Sequence, residues 1–481
     1  MPTFDDATIE RLFGAEDAES ENEERFKQYF VFNKAYHNLI QDLPIRIVVG
    51  HKGVGKSAIL KRAYIHDRER NSLALFLQPN DIEGIWDPKD KSINELIEAW
   101  KTGIESIVQA KAIEAFTGAS GAAASAAPGT TSGRLFERIR SYASKLLQEK
   151  APNISSELAE AFVQQKRIVV YMDDMDRGWE ASQTSIKNMS ALLNAIRDMS
   201  NKEPNIFFRI GLRSDVYFLV RTSDESTDKI ERHVIWLDWT NHDILCVAAN
   251  RITTFFNMEL SQEQIIKMEQ GQITKQILAR VIGPVYDVGR GHWANRPIHN
   301  VLLSLCRRRP RDLIKLFHGA ARVAFREKSD LIRARHLEQT FSRYSEERLQ
   351  DIINEFKSEL PDIASLVLNM RPTKKELKAS QSYRFSTDSI LKKLHEIVGR
   401  TSLRFKNGRQ VTQKSLLHFL YKIDFVTARK EVNGRVERYY FDQSRFLANE
   451  AVDFGFDWEV HPAYRWALQP SDIQEVIDSL D

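Results

Sequence analysis

A strand, a glycine loop and a helix follow one another without interruption in residues 45–60, IRIVVGHKGVGKSAIL. The first six residues are apolar enough for a buried strand, and the stretch from Lys56 onward has the spacing of a helix. Gly50, Gly53 and Gly55 permit a tight turn of the backbone between the two. A strand that passes through so short a turn into a helix is typical of an α/β fold with a parallel sheet.

Four further apolar runs fit buried parallel strands. They are residues 72–78 (SLALFLQ), 167–174 (RIVVYMDD), 205–213 (NIFFRIGLR) and 233–239 (HVIWLDW). Each run precedes polar or helix-patterned sequence, which is the alternation expected of one α/β domain.

The length of 481 residues predicts two or three domains. We expect an α/β core over 1–245, with an N-terminal extension and an insertion of small residues at 118–133 that has almost nothing to bury. Helical patterns predict a lid domain over 246–360. Residues 371–481 carry helix patterns followed by polar-alternating strands around Asn433-Gly434, which predicts a winged helix.

Composition excludes several classes of protein. With 42% hydrophobic and 28% charged residues, the chain is neither fibrous nor intrinsically disordered. Cys246 and Cys306 are too few for a disulfide framework and match no metal-binding spacing. The N-terminus is acidic, unlike a signal peptide, and no apolar run approaches the roughly 18 residues of a membrane-spanning helix. We therefore expect a cytoplasmic protein with no membrane partner.

The glycine loop matches the pattern G-x-x-x-x-G-K-[ST]. In such a loop the backbone N–H groups face phosphate oxygens, and the following helix adds its positive N-terminal end. Lys56 is expected to reach the β- and γ-phosphates, and the Ser57 hydroxyl to bind Mg²⁺. The predicted cofactors are therefore ATP and Mg²⁺. The predicted nucleotide-binding residues of the loop are Gly50, Gly53, Val54, Gly55, Lys56, Ser57 and Ala58.

Adjacent carboxylates end the strand predicted at 167–174. Asp173 is placed to hold Mg²⁺ together with Ser57, and Asp174 to polarise the attacking water as catalytic base. A third acid, Asp176, follows two residues later, and the spacing alone leaves open whether Asp174 or another acid is the base.

Two arginines are candidates for contact with the γ-phosphate. Arg213 ends the next predicted strand, and Arg311 begins a lid helix in RRRPRDLI. Guanidinium geometry suits phosphate oxygens, although a structural salt bridge is the alternative for each. Lys56, Asp174 and Arg213 are thus the predicted catalytic residues. The neighbouring run 307–309 is equally compatible with a solvated face.

Positive charge is concentrated near the C-terminus. Residues 371–440 contain 17 Lys and Arg against 6 Asp and Glu, a local net charge of +11, whereas the whole chain has +3. A basic winged helix can place a helix in the major groove and its wing on phosphates, although such domains also bind proteins. The candidate nucleic-acid contacts are Lys392, Lys393, Arg404, Lys406, Arg409, Arg429 and Lys430.

Several of these stretches together resemble a known group of proteins. VVGHKGVGKSAI, YMDDMDRGW, GLRSDVY, RPRDLI, YSEERL and WEVHPAYRWAL are similar to segments of bacterial P-loop ATPases. That group is related to the STAND and KAP classes and, more distantly, to AAA+ origin-recognition initiators. The resemblance implies a parallel sheet of the ASCE/AAA+ type, a sensor role for Arg213 and a lid role for Arg311. It also implies that Arg177 acts on the nucleotide of a neighbouring subunit.

The same resemblance implies an ATP-dependent switch that forms homo-oligomers and controls a separate effector, often in antiphage defence. DNA or RNA is the candidate further partner, through the basic C-terminal domain. Two alternatives stay open. One is a replication-initiator or loader-like ATPase that remodels DNA, and the other is a scaffold that binds ATP with negligible turnover.

Overall fold

The computed structural model describes residues 3–85, 91–118, 134–149, 155–223, 228–288, 293–378, 382–432, 435–444, 447–448 and 455–469. These residues form two compact units. The sheet unit comprises residues 32–237, and the helical unit comprises residues 1–31 and 238–481. The predicted insertion at 118–133, apart from Gly118, and the predicted turn at Asn433-Gly434 lie outside the described residues.

The sheet unit is built on a five-stranded parallel sheet with the strand order β2-β3-β4-β1-β5. The strands are β1 (Ile45–Gly50), β2 (Leu73–Leu77), β3 (Ile168–Met172), β4 (Ile206–Arg213) and β5 (Val234–Trp236). Each lies within the run predicted for it, and β4 stands between β1 and β3. The predicted α/β fold class with a parallel sheet is confirmed.

The helices alternate with these strands and then continue without them. Numbered along the chain, they are α1 (Asp6–Phe13), α2 (Glu23–Tyr29), α3 (Lys34–Leu39), α4 (Lys56–Glu69), α5 (Ile93–Thr117), α6 (Leu135–Gln148), α7 (Ser156–Gln165), α8 (Gln183–Lys202), α9 (Ser214–Ser223), α10 (Asp228–Glu231), α11 (Asn241–Phe255), α12 (Gln262–Lys267), α13 (Gln270–Gln276), α14 (Ile298–Leu305), α15 (Pro310–Arg326), α16 (Ala334–Phe356), α17 (Ile363–Leu368), α18 (Lys374–Lys378), α19 (Thr387–Val398), α20 (Gln413–Lys422) and α21 (Arg465–Leu468). Short 3-10 turns occur at Pro79–Ile82, Leu278–Arg280 and Pro462–Tyr464. No helix among the described residues is both long and apolar enough to cross a membrane.

The core of the sheet unit explains why its strands read as continuous apolar runs. Strands β1 and β3 are buried at every residue, as expected for central strands of a parallel sheet. The long helix α5 begins with a capping box, in which Ser92 and Glu95 each accept from the other's backbone N–H. Its buried Trp100 donates from Nε1 to Asn188 Oδ1 on α8 at 2.8 Å, so the indole nitrogen is satisfied inside the core.

The C-terminal part of the helical unit contains a four-stranded antiparallel sheet of order β6-β9-β7-β8. Its strands are β6 (Arg384–Phe385), β7 (Val426–Val432), β8 (Arg435–Tyr439) and β9 (Asp457–Val460). Strands β7 and β8 pair directly on either side of the predicted turn, with Val432 opposite Arg435. Helices α19 and α20 precede this hairpin, so the predicted winged-helix arrangement is confirmed.

The buried carboxylate of Asp312 on α15 connects this helix to α16. Arg307 Nε and Nη2 donate to the two oxygens of Asp312 at 2.8 and 2.9 Å, and Arg348 Nη1 donates to the same carboxylate at 3.3 Å. All three side chains are buried. The two guanidinium groups hold the pKa of Asp312 far below its usual range, despite the opposing effect of burial.

The other two arginines of the run 307–309 have different partners. Arg309, also buried, lies 3.3 Å from Asp424 at the end of α20. Arg308 pairs with Asp238 at 3.0 Å and donates to the Trp239 carbonyl. Arg307 also donates to the Tyr464 hydroxyl at 3.1 Å. The solvated face, which was the alternative for this run, is therefore excluded for Arg307 and Arg309. These two arginines instead connect the start of α15 with the C-terminal part.

The N-terminal residues 1–31 group with the helical unit and not with the sheet. Phe13 stacks on Phe317 of α15 with ring centroids 4.8 Å apart, and a ring nitrogen of His318 lies 3.1 Å from the Gly14 carbonyl oxygen. This differs from the expected placement of residues 1–245 in one core. The division into three domains stays a prediction.

Removal of the Asp312 carboxylate is expected to destabilise the fold. Asp312→Ala leaves Arg307 and Arg348 buried without their shared partner, which costs about 3–5 kcal/mol in the free energy of unfolding. Urea denaturation followed by tryptophan fluorescence measures the change. The matched control is Arg343→Ala, which removes an exposed ion pair with Glu347 and should change the same quantity by less than about 1 kcal/mol. Equal losses in the two variants would contradict the prediction.

Candidate nucleotide site

The glycine loop connects β1 to α4 through backbone conformations that side chains disfavour. Gly53 has φ of 82° and Gly55 has φ of 101°, both in the left-handed region. Gly50 has an ordinary φ, but a Cβ there would lie 2.8 Å from Val54 Cγ2, so glycine permits the buried Val54 to fold back over the strand end. The loop thereby takes the tight turn that the sequence pattern predicts.

Lys56, the first residue of α4, folds back along the loop. Its Nζ donates to the carbonyl oxygens of Gly50 at 3.0 Å and His51 at 3.2 Å. The ammonium group is thus held on the concave side of the glycine turn by two main-chain acceptors.

Ser57 and Asp173 meet at the base of the loop. The Ser57 hydroxyl donates to the Asp173 carboxylate, which is buried directly after β3. Burial raises the pKa of Asp173, and the charge of Asp174 acts in the same direction, whereas the Ser57 hydrogen bond and the charge of Lys56 oppose it. A positive group near this carboxylate would therefore stabilise its ionised form.

Gly211 on β4 provides the space for that carboxylate. A Cβ at this position would collide with Asp173 Oδ1 and would lie 2.9 Å from Leu60 Cδ1. Because β4 stands between β1 and β3, the absence of a side chain at Gly211 lets Asp173 reach across toward Ser57.

The pair formed by Ser57 and Asp173 fits Mg²⁺. Both contribute hard oxygen donors, and they are already in contact with each other. Mg²⁺ is usually held by one or two protein oxygens together with substrate phosphates, and not by an all-protein cage. The part of the chain that the structure describes has no group of three or more His, Cys, Asp or Glu side chains arranged for a metal ion.

Asp174 differs from its neighbour in exposure and in backbone conformation. Its φ of 55° is in the left-handed region, and 51% of its side chain is exposed. Arg177, with 62% of its side chain exposed, lies 3.9 Å from Asp174 Oδ2. Asp173 therefore points into the protein, whereas the candidate base and the candidate trans-acting arginine both face solvent.

Arg213 ends β4 at the same level as the loop. It stands opposite Gly50 in the parallel register of β1 and β4, so the two backbones are one strand spacing apart. Its guanidinium pairs with two acids, Asp215 and Asp176, so it makes the salt bridge that was its alternative role. The sequence signal for Asp215 is its position two residues after Arg213, in GLRSD.

Arg311 belongs to the helical unit, whereas the glycine loop belongs to the sheet unit. It is the second residue of α15, and its Nε donates to the Glu16 carbonyl oxygen at 3.0 Å. Lys315, one turn further along α15, lies 3.5 Å from the Glu16 carboxylate. The structure therefore places Arg311 against the N-terminal residues of its own unit.

The structure separates the candidate nucleic-acid contacts into two groups. Lys393 is buried, pairing with Glu376 at 2.8 Å and donating to the Arg371 carbonyl at 2.9 Å. Arg429 is buried on β7, between β8 and β9. Their burial makes a direct phosphate contact wrong for these two. The remaining candidates are exposed, namely Lys392, Arg404, Lys406, Arg409 and Lys430.

The aromatic residues of the C-terminal segment behave as packing residues. Trp458, Tyr464 and Trp466 are buried, and Trp466 packs on Phe341 of α16 with ring centroids 4.9 Å apart. They offer no stacking platform to a nucleic-acid base.

A family model matches part of this chain, and a curated relative is similar to most of it. The model described as the FunZ-associated C-terminal helical domain matches residues 285–353, which include α14, α15 and most of α16. The relative is the putative transposon gamma-delta 80.3 kDa protein of Escherichia coli K12. It is 22% identical over 515 residues, covering 97% of this chain and 69% of its own length.

Several solved structures show a weak likeness to this chain. The ORC2 protein of Aeropyrum pernix, in its ADPNP-ADP complexes, gives a TM-score of 0.43 at 11% identity, covering 95% of this chain and 97% of its own. Cdc6p of Pyrobaculum aerophilum gives 0.31 at 12% identity, covering 95% and 98%. The RuvB Holliday junction branch migration motor of Thermotoga maritima gives 0.30 at 12% identity, covering 72% and 80%. All three scores are below 0.5, so the inference of function rests on the geometry of the site.

A methyl group at residue 211 is expected to disable the metal side of the site. Gly211→Ala displaces the Asp173 carboxylate from Ser57, and loss of such a supporting contact typically costs about 10–100-fold in metal affinity or activity. Mg²⁺-dependent binding of a fluorescent ATP analogue measures the effect.

Gly271→Ala is the matched control, because a Cβ at Gly271 meets no atom within 4 Å and the position lies within α13. Binding that is equally strong in both variants would show that the space at Gly211 does not matter.

Proposed function

We propose that this chain is an Mg²⁺-dependent ATPase whose nucleotide state controls homo-oligomeric assembly and a separate effector, in bacterial antiphage defence. The observation that supports it best is the contact between Ser57 and Asp173 at the base of a glycine loop in which Lys56 already lines the concave side. The effector and the defence setting rest on the motif resemblance described above.

The residues of the sheet unit divide the work between binding and catalysis. The N–H groups of the glycine loop and the N-terminal end of α4 bind the phosphates. The Lys56 side chain moves, so that its ammonium group leaves the loop carbonyls and contacts the phosphate oxygens. Ser57 and Asp173 would hold Mg²⁺, which would neutralise charge on the phosphates. Asp174 accepts a proton from the attacking water, for which its exposure to solvent is suitable.

Two arginines act on the phosphates in this proposal. Arg213 stabilises the charge that develops on the terminal phosphate from the end of β4. Arg177, exposed and next to Asp174, acts on the nucleotide of a neighbouring subunit in the assembly. A role for Arg311 at the nucleotide stays a prediction, since its Nε donates to the Glu16 carbonyl oxygen.

Loss of Lys56 or Asp174 is expected to abolish turnover in different ways. Lys56→Ala weakens ATP binding and lowers hydrolysis by at least about 100-fold, because a charged phosphate contact is removed. Asp174→Asn keeps binding but lowers hydrolysis by about 100-fold or more, because the base is lost. Phosphate release and binding of a fluorescent ATP analogue measure the two quantities.

Lys52→Ala is the matched control, since it removes an exposed lysine from the same loop. Hydrolysis that is identical in the unmodified protein and in all three variants would refute the site. Mass photometry of the same proteins with ATP and with ADP tests the switch, which requires a different oligomer distribution in the two nucleotides. Tight ATP binding without turnover, even in single-turnover conditions with nucleic acid present, would favour the ATP-binding scaffold instead.

A second candidate is a replication-initiator or loader-like ATPase that acts on DNA directly. The exposed basic side chains of the C-terminal domain favour it, as does the likeness to a protein named as transposon-encoded. The partner would be a DNA or RNA backbone, since Trp458, Tyr464 and Trp466 are occupied in packing.

Neutralising the exposed basic group tests this candidate. Combined replacement by Ala of Lys392, Arg404, Lys406, Arg409 and Lys430 is expected to weaken duplex binding. Each lost phosphate contact should also reduce the slope of log affinity against log salt by about 0.9. Fluorescence anisotropy at several salt concentrations measures both. The control replaces an equal number of exposed lysines and arginines elsewhere, Lys267, Lys275, Arg326, Lys328 and Arg343. Equal slopes for the two combined variants would count against this surface.

A further inference from the structure

Arg213 is held by one edge of its guanidinium. Its Nε and Nη2 donate to the two oxygens of Asp215 at 3.0 and 2.8 Å, a bidentate arrangement. Asp215 is buried in the first turn of α9, which begins directly after β4. Arginine and its partner are therefore only two residues apart, and the start of α9 fixes the position of the carboxylate.

A second buried carboxylate faces the same guanidinium. Asp176 Oδ2 lies 3.5 Å from Arg213 Nε and accepts no hydrogen bond within the described residues. Burial raises the pKa of Asp176 to about 6, with the charges of Arg213 and Lys56 opposing the rise. Asp176 thus attracts the guanidinium without fixing its orientation, whereas Asp215 does both.

The bidentate pair has a consequence for the direction of the whole side chain. A guanidinium is planar, so fixing the Nε–Nη2 edge also fixes the plane and the direction of the opposite Nη1. Arginine side chains otherwise have many rotamers, and their restriction in advance lowers the entropy lost on binding a phosphate. Arg213 also starts from a backbone position one strand away from Gly50, the first residue of the loop.

We propose that Asp215 is a positioning residue that orients Arg213 toward the terminal phosphate of the nucleotide. The inference rests on the proposed ATPase function and adds to it a residue that touches no substrate itself. Asp215 acts only through Arg213, so its effect disappears when Arg213 is absent. A salt bridge that served folding alone would change neither kcat nor the preference for a triphosphate over a diphosphate nucleotide.

A double-mutant cycle tests the proposal. Arg213→Ala lowers kcat about 100-fold, the typical effect of losing one group that stabilises the transition state. Asp215→Asn, which keeps the size but loses the second acceptor oxygen, lowers kcat about 10-fold by misplacing the guanidinium. The double variant is expected to match Arg213→Ala alone, because groups that act as a unit are not additive.

Nucleotide discrimination provides the readout that a merely structural role would not change. The affinity for ATPγS is expected to fall in Arg213→Ala and in Asp215→Asn, whereas the affinity for ADP stays within about 2-fold of the unmodified protein. Equal losses for ATPγS and ADP would overturn the proposal, as would a double variant about 1000-fold impaired, the product of the two single effects.

Two further outcomes separate this inference from the proposed function. In one outcome, Lys56→Ala is inactive and Arg213→Ala is impaired, but Asp215→Asn has an unchanged kcat. This outcome supports the ATPase and overturns the positioning role. Fully active Lys56→Ala refutes the ATPase itself. If Asp215→Asn does not fold, Arg213→Lys replaces it, because an ammonium keeps the charge but cannot form the bidentate pair. Arg213→Lys with unimpaired kcat overturns the proposal, and a loss of about 10-fold supports it.

Discussion

The position of β4 between β1 and β3 is the constraint on which the site depends. Parallel strands end at the same edge of a sheet, so this order brings Gly50, Arg213 and Asp173 to one edge from three distant parts of the chain. The order would be of little use if β4 carried a side chain at residue 211, since the Asp173 carboxylate occupies that space. A glycine in β4 therefore leaves room for Asp173, which follows β3, to contact Ser57 at the start of α4.

Three buried carboxylates differ in how far nearby cations compensate their burial. In the sheet unit the buried acids Asp173 and Asp176 have raised pKa values, because burial outweighs the cations near them. In the helical unit Asp312 lies between guanidinium groups that lower its pKa despite full burial. A carboxylate with incomplete compensation is suited to gaining a cation or a proton, whereas a fully compensated one contributes to structure.

Much of the sheet unit could be predicted from the sequence, because its information is local. Buried parallel strands are apolar at consecutive positions, and the loop needs glycines at fixed spacing, so β1, the loop and α4 were all predictable. The acids at the end of β3 followed from the same logic. The roles of Asp176 and Asp215 were not predictable, since their contacts with Arg213 depend on how the strand ends are arranged in space. The exposure expected of Lys393, and offered as one interpretation of Arg309, likewise failed, because their partners lie 17 and 115 residues away.

The run 307–309 connects the segment of α15 and α16 with the C-terminal part through buried charged groups. Arg307 contacts Tyr464, Arg309 contacts Asp424, and Lys422 pairs with Glu359 at 2.5 Å, so charged groups of each part are neutralised by the other. The proline-containing stretch near residue 361, between α16 and α17, is a point at which the chain could be truncated. A fragment that ended there would lose the partners Tyr464, Asp424 and Lys422 but would keep the pairs of Arg307 with Asp312 and of Arg309 with Glu355. Its newly exposed surface would carry charged groups of both signs, which the intact protein buries.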